Sequence, residues 1–214
     1  MRVAVLSLTR DRLDYTKHCF TRLKELAGVH YDHYVLDQGS TDGTVEWLKG
    51  RVKWIEALPA NIGISKGLNR LLALTDGYDV IVKFDNDCEP LTRDILRDTA
   101  AFVMDNPDWL ISPRIEGLNS TPGTTEVVDF PEHGRVLRKG QIGGIFLAVN
   151  AGLYERFKYD ETNPVWGMDD VQISQGRNCG YLEHHVANHY LTTAGQHADM
   201  PDYWARKKAE GRPL

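Results

Sequence analysis

The residues of this chain with the clearest chemical potential are two carboxylates, Asp85 and Asp87, which follow an apolar run at 78–84. The β-branched centre of that run predicts a buried strand, and Pro90 is expected to stop it and open a helix. Carboxylates two positions apart at the carboxyl end of a strand can face one crevice, where open α/β sheets bind ligands. Two hard oxygen ligands suit Mg²⁺ or Mn²⁺, and substrate phosphates usually complete the coordination of such an ion. The alternative is a solvated turn, because Asp and Asn are common in turns.

Composition narrows the class of protein. The chain has 214 residues, of which 42% are hydrophobic and 26% charged, which predicts one ordinary globular domain. A net charge of −5 disfavours binding to duplex nucleic acid. Cys19, Cys88 and Cys179 form no C-x-x-C motif, so we expect a reducing, cytoplasmic location. The N-terminal residues lack a signal-peptide pattern and no long apolar stretch occurs, so no membrane span is expected.

Strands and helices alternate along the first half of the chain. Apolar runs predict strands at 3–8, 31–36, 52–58 and 80–84. Apolar stripes at helical spacing predict helices at 14–27, 64–74 and 91–104. Strands joined by helical crossovers imply an α/β fold, with a mostly parallel sheet and helices on both faces.

The pattern breaks after Pro113. Residues 116–141 are rich in Gly, Ser, Thr, Pro and charge, which predicts a long loop with an irregular hairpin that serves as a mobile lid. A strand is predicted at 145–149, a helix at 169–177 and an extended segment at 181–189. We find no linker, so the whole chain is expected to form a single domain.

Polar segments follow the predicted strands in a fixed order. They occupy residues 7–12, 37–44, 61–69, 85–87, 141–144 and 166–170. Together they resemble the glycosyltransferases of family two, which have the Rossmann-like GT-A fold. The strongest match is Asp37-Gln-Gly-Ser-Thr-Asp-Gly-Thr44, close to that family's D-N-G-S-T-D-G-T signature. The resemblance covers roughly residues 3–190, and ordered blocks are more specific than any single motif.

The resemblance implies a nucleotide-diphosphate sugar as donor, with a UDP-sugar as the first choice. The residues implied to bind it are Thr9, Arg12, Asp37, Asn61, Lys66, Asp85, Asn86 and Gly144. Asp37 is expected to contact the base and Asp85 the ribose. Asp11 departs from the family, which has Asn at this position. Simpler alternatives are a capped turn at 37–44, a surface role for Lys66, and close strand packing at Gly144.

The resemblance also implies a metal ion and a catalytic acid pair. Asp87 is expected to ligate Mn²⁺ or Mg²⁺, which neutralises a departing diphosphate, with His189 as second ligand and His197 as the alternative. In the segment Trp166-Gly-Met-Asp-Asp170, Asp170 corresponds to the general base of inverting members, and Asp169 replaces the usual Glu. The alternative for this pair is favourable interaction with a helix dipole.

The resemblance divides the predicted domain into two functional halves. Residues 1–113 are expected to bind the donor, and residues 114–214 to bind the acceptor and carry the catalytic residues. Trp166 offers an aromatic face to an acceptor sugar, although a Trp of the core or of a lid is an equal alternative. The acceptor is expected to be a glycan, a lipid-linked sugar or another hydroxyl compound. The sequence leaves the sugar, the base, the acceptor and the oligomeric state open.

Three other classes compete with this prediction. A haloacid-dehalogenase-like phosphatase also uses Asp-x-Asp after a strand, but normally after the first strand. A sugar nucleotidyltransferase needs a Gly-rich loop after its first strand, and residues 7–13 contain no Gly. The third is a non-catalytic module that binds a nucleotide sugar; retention of both Asp87 and Asp170 argues against it.

Overall fold

The computed structural model describes residues 1–116, 126–162 and 168–190. Within them, ten strands form one sheet: β1 (Val3–Thr9), β2 (Asp32–Asp37), β3 (Trp54–Ala57), β4 (Val80–Phe84), β5 (Cys88–Pro90), β6 (Trp109–Glu116), β7 (Glu126–Phe130), β8 (Gly134–Lys139), β9 (Phe146–Asn150) and β10 (Asn178–His189). The α-helices of the same residues are α1 (Leu13–Leu26), α2 (Thr44–Leu48), α3 (Ile64–Leu72), α4 (Ile95–Asp105) and α5 (Met168–Ser174). The predicted α/β class is therefore confirmed.

The sheet is mixed. Its strand order is β3-β2-β1-β4-β9-β6-β10-β8-β7, and β5 pairs with β10 outside this path. Strands β1 to β4 pair in parallel, as the strand–helix alternation predicts. Strand β9 runs antiparallel to both β4 and β6. The carboxyl ends of the four parallel strands consequently meet at one edge, where the polar segments follow them.

Strand β1 shows why the sheet is buried on both faces. Successive side chains of a strand point to opposite faces. Val5 packs in one core with Leu23 of α1, and Leu6 packs in another with Leu71 of α3. All four side chains are at most 1% exposed, and burying each contributes roughly 1.5–3 kcal/mol. Helices on both faces thus hold the strand ends in place.

Two parts of the chain differ from the sequence-based expectation. Pro90 does not open a helix: it ends strand β5, and α4 begins at Ile95. The cause is tertiary, because β5 pairs antiparallel with β10, with Cys88 opposite His189. Strand β6 was not predicted, although it pairs with both β9 and β10.

The predicted hairpin is present at residues 126–139. Strands β7 and β8 pair antiparallel, and β8 also pairs with β10, so this part of the expected lid is attached to the sheet. Val136 of β8 is fully buried. Across the described parts of the chain, no helix combines the length and apolar character needed to cross a membrane.

Candidate metal and donor-binding site

Asp85 and Asp87 lie at the end of β4, beside a histidine that is distant in sequence. The backbone N–H of Asp85 donates to the carbonyl oxygen of Ile145 at 2.9 Å. The pairing of β5 with β10 places Nε2 of His189 3.3 Å from Oδ2 of Asp87. One ligand atom from each of Asp85, Asp87 and His189 lies within 4.8 Å of the others. Asp87 is only 3% exposed, which argues against a solvated turn, and two carboxylates with one imidazole can hold Mn²⁺ or Mg²⁺.

Arg12 and Asn86 support the Asp87 carboxylate. One guanidinium nitrogen of Arg12 donates to Oδ2 of Asp87 at 2.8 Å, and another donates to Oδ1 of Asn86 at 2.6 Å. The amide nitrogen of Asn86 donates to Oγ1 of Thr16 at 2.8 Å. Arg12 has a φ of 64°, a left-handed conformation that is costly for a residue with a side chain. Of these two predicted donor-binding residues, Arg12 therefore contacts the Asp85–Asp87–His189 cluster directly, and Asn86 contacts Arg12.

The charges around Asp87 keep it ionised. Burial raises the pKa of the Asp87 carboxyl, but the Arg12 guanidinium and the His189 imidazole outweigh burial and hold that pKa well below its ordinary value. A metal ligand must be deprotonated. Asp87 therefore meets this condition at neutral pH.

Lys83 is a site residue that the sequence analysis missed. It lies within β4, is 7% exposed, and donates to the carbonyl oxygen of Gly144. Its Nζ is 3.1 Å from Oδ1 of Asp85 and 3.0 Å from Oδ2 of Asp169. Burial lowers the pKa of Lys83, but the two carboxylates raise that pKa by more than burial lowers it. The ammonium therefore stays charged. A lysine inside an otherwise apolar strand was the available signal, since Lys is almost never buried unless paired.

The acid pair at the start of α5 has two distinct environments. Asp169 is 6% exposed and is held by Lys83. Asp170 accepts a hydrogen bond from the backbone N–H of Val171 at 2.8 Å and a long one from Nε2 of Gln141 at 3.5 Å. Burial, and next the charge of Asp169, raise the pKa of the Asp170 carboxyl. Carboxylates whose environments differ in this way can take different chemical roles. The raised pKa of Asp170 suits the role of proton acceptor.

Gly144 lets this acid pair approach the end of β4. A Cβ added to Gly144 would lie 2.8 Å from Oδ2 of Asp169, 3.1 Å from Nζ of Lys83 and 3.4 Å from Cβ of Asp170. No side chain fits at that distance without displacing the ion pair. The structure therefore gives Gly144 a packing role at the site, whereas its predicted contact with a sugar stays a prediction.

Thr9 and Asp37 form a second cluster at the ends of β1 and β2. Oγ1 of Thr9 donates to Oδ2 of Asp37 at 2.8 Å, and the backbone N–H of Ser40 donates to Oδ1 at 2.8 Å. The backbone N–H of Gly39 and the hydroxyl of Ser40 also donate to this carboxylate, which is fully buried. Asp37 therefore orders the turn after β2. Contact with a nucleotide base would require one of these donors to move, and that role stays a prediction.

The remaining predicted residues within the described part of the chain make no contact with the cluster. Oδ1 of Asn61 accepts from the backbone N–H of Gly63 at 2.8 Å, just before α3. The backbone N–H of Ile62, in the same segment, donates to Oε1 of the buried Gln38 at 3.0 Å. Lys66 is exposed on α3 and lines a groove of about 530 Å³ with Asn69 and Tyr154. Two further candidates, Trp166 and His197, lie outside the described residues.

Solved structures share this architecture at low sequence identity. GalNAc-T7 with UDP, GalNAc and Mn²⁺ superposes with a TM-score of 0.70 at 12% identity, over 88% of this chain and 44% of that one. Mannosyltransferase PcManGT from Pyrobaculum calidifontis, with GDP-Man and Mn²⁺, has a TM-score of 0.69 at 17% identity, over 97% and 60%. S. aureus TarS 1–349 with UDP-GlcNAc has a TM-score of 0.61 at 18% identity, over 88% and 58%. These similarities confirm the GT-A fold, and the chain spans less than two thirds of each of these proteins.

Sequence comparison supplies the family. No curated protein matches the chain. The family model described as glycosyl transferase family 2 matches residues 5–126, which is more than half of the chain and includes the ends of all four parallel strands and the Asp85–Asp87 pair. The chain therefore belongs to glycosyl transferase family 2.

Proposed function

We propose that this protein is a metal-dependent, inverting glycosyltransferase that moves a sugar from a nucleoside-diphosphate sugar, with UDP as the preferred nucleotide, to a hydroxyl group. The observation that carries this proposal is the cluster of Asp85, Asp87 and His189 connected through Lys83 to the acid pair of α5. A diphosphate-binding ion and a proton acceptor are the two groups that such a transfer requires.

The residues present fit a divalent cation. Asp87 is ionised, buried and oriented by Arg12, and His189 lies against the same oxygen. Asp85, Asp87 and His189 would hold Mn²⁺ or Mg²⁺, and the bound ion would neutralise charge on the leaving diphosphate. The structures of GalNAc-T7 and PcManGT contain Mn²⁺ together with a nucleotide or nucleotide sugar, which supports this choice of cofactor.

The chain's own residues account for the remaining steps. Asp170 accepts the proton of the acceptor hydroxyl as its oxygen attacks the anomeric carbon, and the bond between that carbon and the diphosphate oxygen breaks. The nucleoside diphosphate leaves with the bonding electrons, and attack from the opposite side inverts the anomeric configuration. Lys83 holds Asp169 in an ion pair, which leaves Asp170 as the proton acceptor. A haloacid-dehalogenase-like phosphatase is disfavoured because its acidic pair normally follows the first strand, whereas Asp85 and Asp87 follow β4.

The two halves of the domain divide the task in this proposal. Residues 1–113 bind the donor through the strand ends that carry Thr9, Asp37 and Asn61. The rest of the chain binds the acceptor, a glycan, a lipid-linked sugar or another hydroxyl compound. Trp166 contributes an aromatic face to that acceptor.

A thermal-shift screen with UDP-, GDP-, dTDP- and CDP-sugars, each with Mn²⁺ and with EDTA, tests the donor. We expect a UDP-sugar to stabilise the protein in Mn²⁺ and not in EDTA, because the proposed ion binds the diphosphate. A ligand at 100 times its Kd adds about 2.7 kcal/mol to the free energy of unfolding. Stabilisation by none of the sugars would contradict the proposal. An NMR assay of the product's anomeric configuration tests the mechanism, since retention of the donor configuration excludes Asp170 as general base.

A further inference from the structure

A break in the regular pairing of β10 brings two consecutive histidines together. The pairing of β10 with β6 shifts register between Leu182 and Val186, and His184 and His185 lie within that interval. In a regular strand neighbouring side chains face opposite sides of the sheet. Here the centroids of the two imidazole rings are 4.3 Å apart. Irregularities of this kind redirect side chains and are common beside functional sites.

A carboxylate from α4 completes the cluster. Oδ2 of Asp98 is 2.9 Å from Nε2 of His185, and one ligand atom from each of Asp98, His184 and His185 lies within 4.8 Å of the others. Oγ1 of Thr92 is 2.9 Å from the other ring nitrogen of His185. Metal-binding histidines usually have such a partner, because it fixes the orientation and tautomer of the ring.

The surroundings suit a bound ion. His185 is 3% exposed, so its imidazole is held in a fixed position by the surrounding protein. A cavity of about 500 Å³, lined by Asp98, His184 and His133 among others, adjoins the cluster and has room for an ion with its water.

We propose that Asp98, His184 and His185 form a second metal site, separate from the Asp85–Asp87–His189 cluster, that binds Zn²⁺ or a similar borderline ion. Two imidazoles and one carboxylate favour such ions over Mg²⁺. Three protein ligands leave a fourth position for water or a small ligand from the cavity. The ion would connect β10 to α4 through His185, which precedes His189 by four residues. It would therefore stabilise the strand that carries His189, a proposed ligand of the metal ion at the donor site.

Equilibrium dialysis against Zn²⁺ tests this proposal in the Asp87→Asn variant, with Mg²⁺ in excess, so that the donor site does not contribute. We expect one Zn²⁺ per chain. His184→Ala removes an exposed side chain without disturbing the core and should weaken Zn²⁺ binding by about 100-fold or more. Even the loss of a group that only hydrogen-bonds a metal ligand lowers metal affinity by about 10–100-fold. Asp98→Asn should also weaken it.

His30→Ala is the matched control, because His30 is exposed but belongs to neither metal cluster within the described residues. It should leave Zn²⁺ binding unchanged. Circular dichroism of each variant checks that the fold is retained. The proposal is overturned if the Asp87→Asn protein binds no Zn²⁺, or if its affinity for Zn²⁺ is the same with and without His184→Ala.

Discussion

Replacing Lys83 by Met should destabilise the protein by breaking the ion pairs between β4 and α5. Lys83 is 7% exposed, and its Nζ lies 3.1 Å from Asp85 and 3.0 Å from Asp169. Methionine is unbranched and flexible and fills most of the same space. The substitution therefore removes a charge, its charged hydrogen bonds to Asp85 and Asp169 and the hydrogen bond to the carbonyl oxygen of Gly144, with little change in packing.

The magnitude follows from the asymmetry of buried ion pairs. One pair at about 3 Å has a gross attraction of roughly 5 kcal/mol at an effective dielectric constant of about 20, and desolvation of the charges offsets much of it. Removing one partner leaves the other charges buried without compensation, which typically costs about 3–5 kcal/mol. The side chain of Asp85 is 31% exposed, so water relieves part of this cost. We expect a loss of about 3 kcal/mol in the free energy of unfolding, at the low end of that range.

Urea denaturation followed by circular dichroism measures this loss. The matched control is Lys49→Met, because the side chain of Lys49 is 64% exposed and lies 3.9 Å from Glu46; it should change stability by less than about 0.5 kcal/mol. A double-mutant cycle with Asp169→Asn isolates the pair, and the two substitutions should show a coupling of about 1–3 kcal/mol.

Two results would refute this reasoning. A loss below about 1 kcal/mol for Lys83→Met would be no larger than that of an exposed ion pair. Strict additivity of Lys83→Met and Asp169→Asn would show that the two charges do not interact. In either case Lys83 would not be what holds Asp169.

Three further predictions concern the metal, the base and a buried histidine. Asp87→Asn should weaken UDP binding in Mn²⁺ by calorimetry while leaving the fold intact, because the substitution removes a ligand charge that Arg12 and His189 keep ionised. Asp170→Asn should retain donor affinity and lower the transfer rate by roughly 10² or more, the usual scale for a lost general base; in the unsubstituted protein the rate should fall as pH drops through the raised pKa of Asp170. Burial lowers the pKa of His33 from 6.5 to about 3. Between these two pH values the imidazole of His33 is protonated in the unfolded chain and neutral in the folded one. The free energy of unfolding should therefore fall by up to about 1.4 kcal/mol per pH unit as pH decreases below 6.5.

Each of these predictions has an outcome that would contradict it, and the first and third also have a control variant. For the metal, Asp129→Asn changes a carboxylate whose side chain is 83% exposed and should not alter UDP binding; equal UDP affinity in Mn²⁺ and in EDTA would exclude the metal role. For the base, an Asp170→Asn protein with an unchanged transfer rate would reassign Asp170 to binding. For the histidine, His33→Asn should flatten the dependence of stability on pH, and an identical dependence in that variant would attribute it to other groups.

The sequence by itself determined the fold class and the position of the acidic pair. Apart from Lys83, strand β4 is apolar on both faces, and that pattern alone indicates a strand covered by helices on both sides. Polar residues that follow such a strand must lie at its end, so Asp85 and Asp87 could be placed at the sheet edge from the sequence. The turn at 37–44 was recognisable for the same reason, since its glycines and capping residues act locally.

Only the tertiary structure decided which distant residues complete the site. His189 meets Asp87 because β5 pairs with β10 in one particular register. Lys83 joins Asp85 to Asp169 because the fold brings Asp169, at the start of α5, within 3.0 Å of the Lys83 ammonium. The local periodicity of a sequence indicates which face of a segment is buried. It does not indicate which other strand the segment pairs with, or in what register. The same limit explains Pro90, which suggests a helix start locally and instead ends a strand that only a distant partner makes possible.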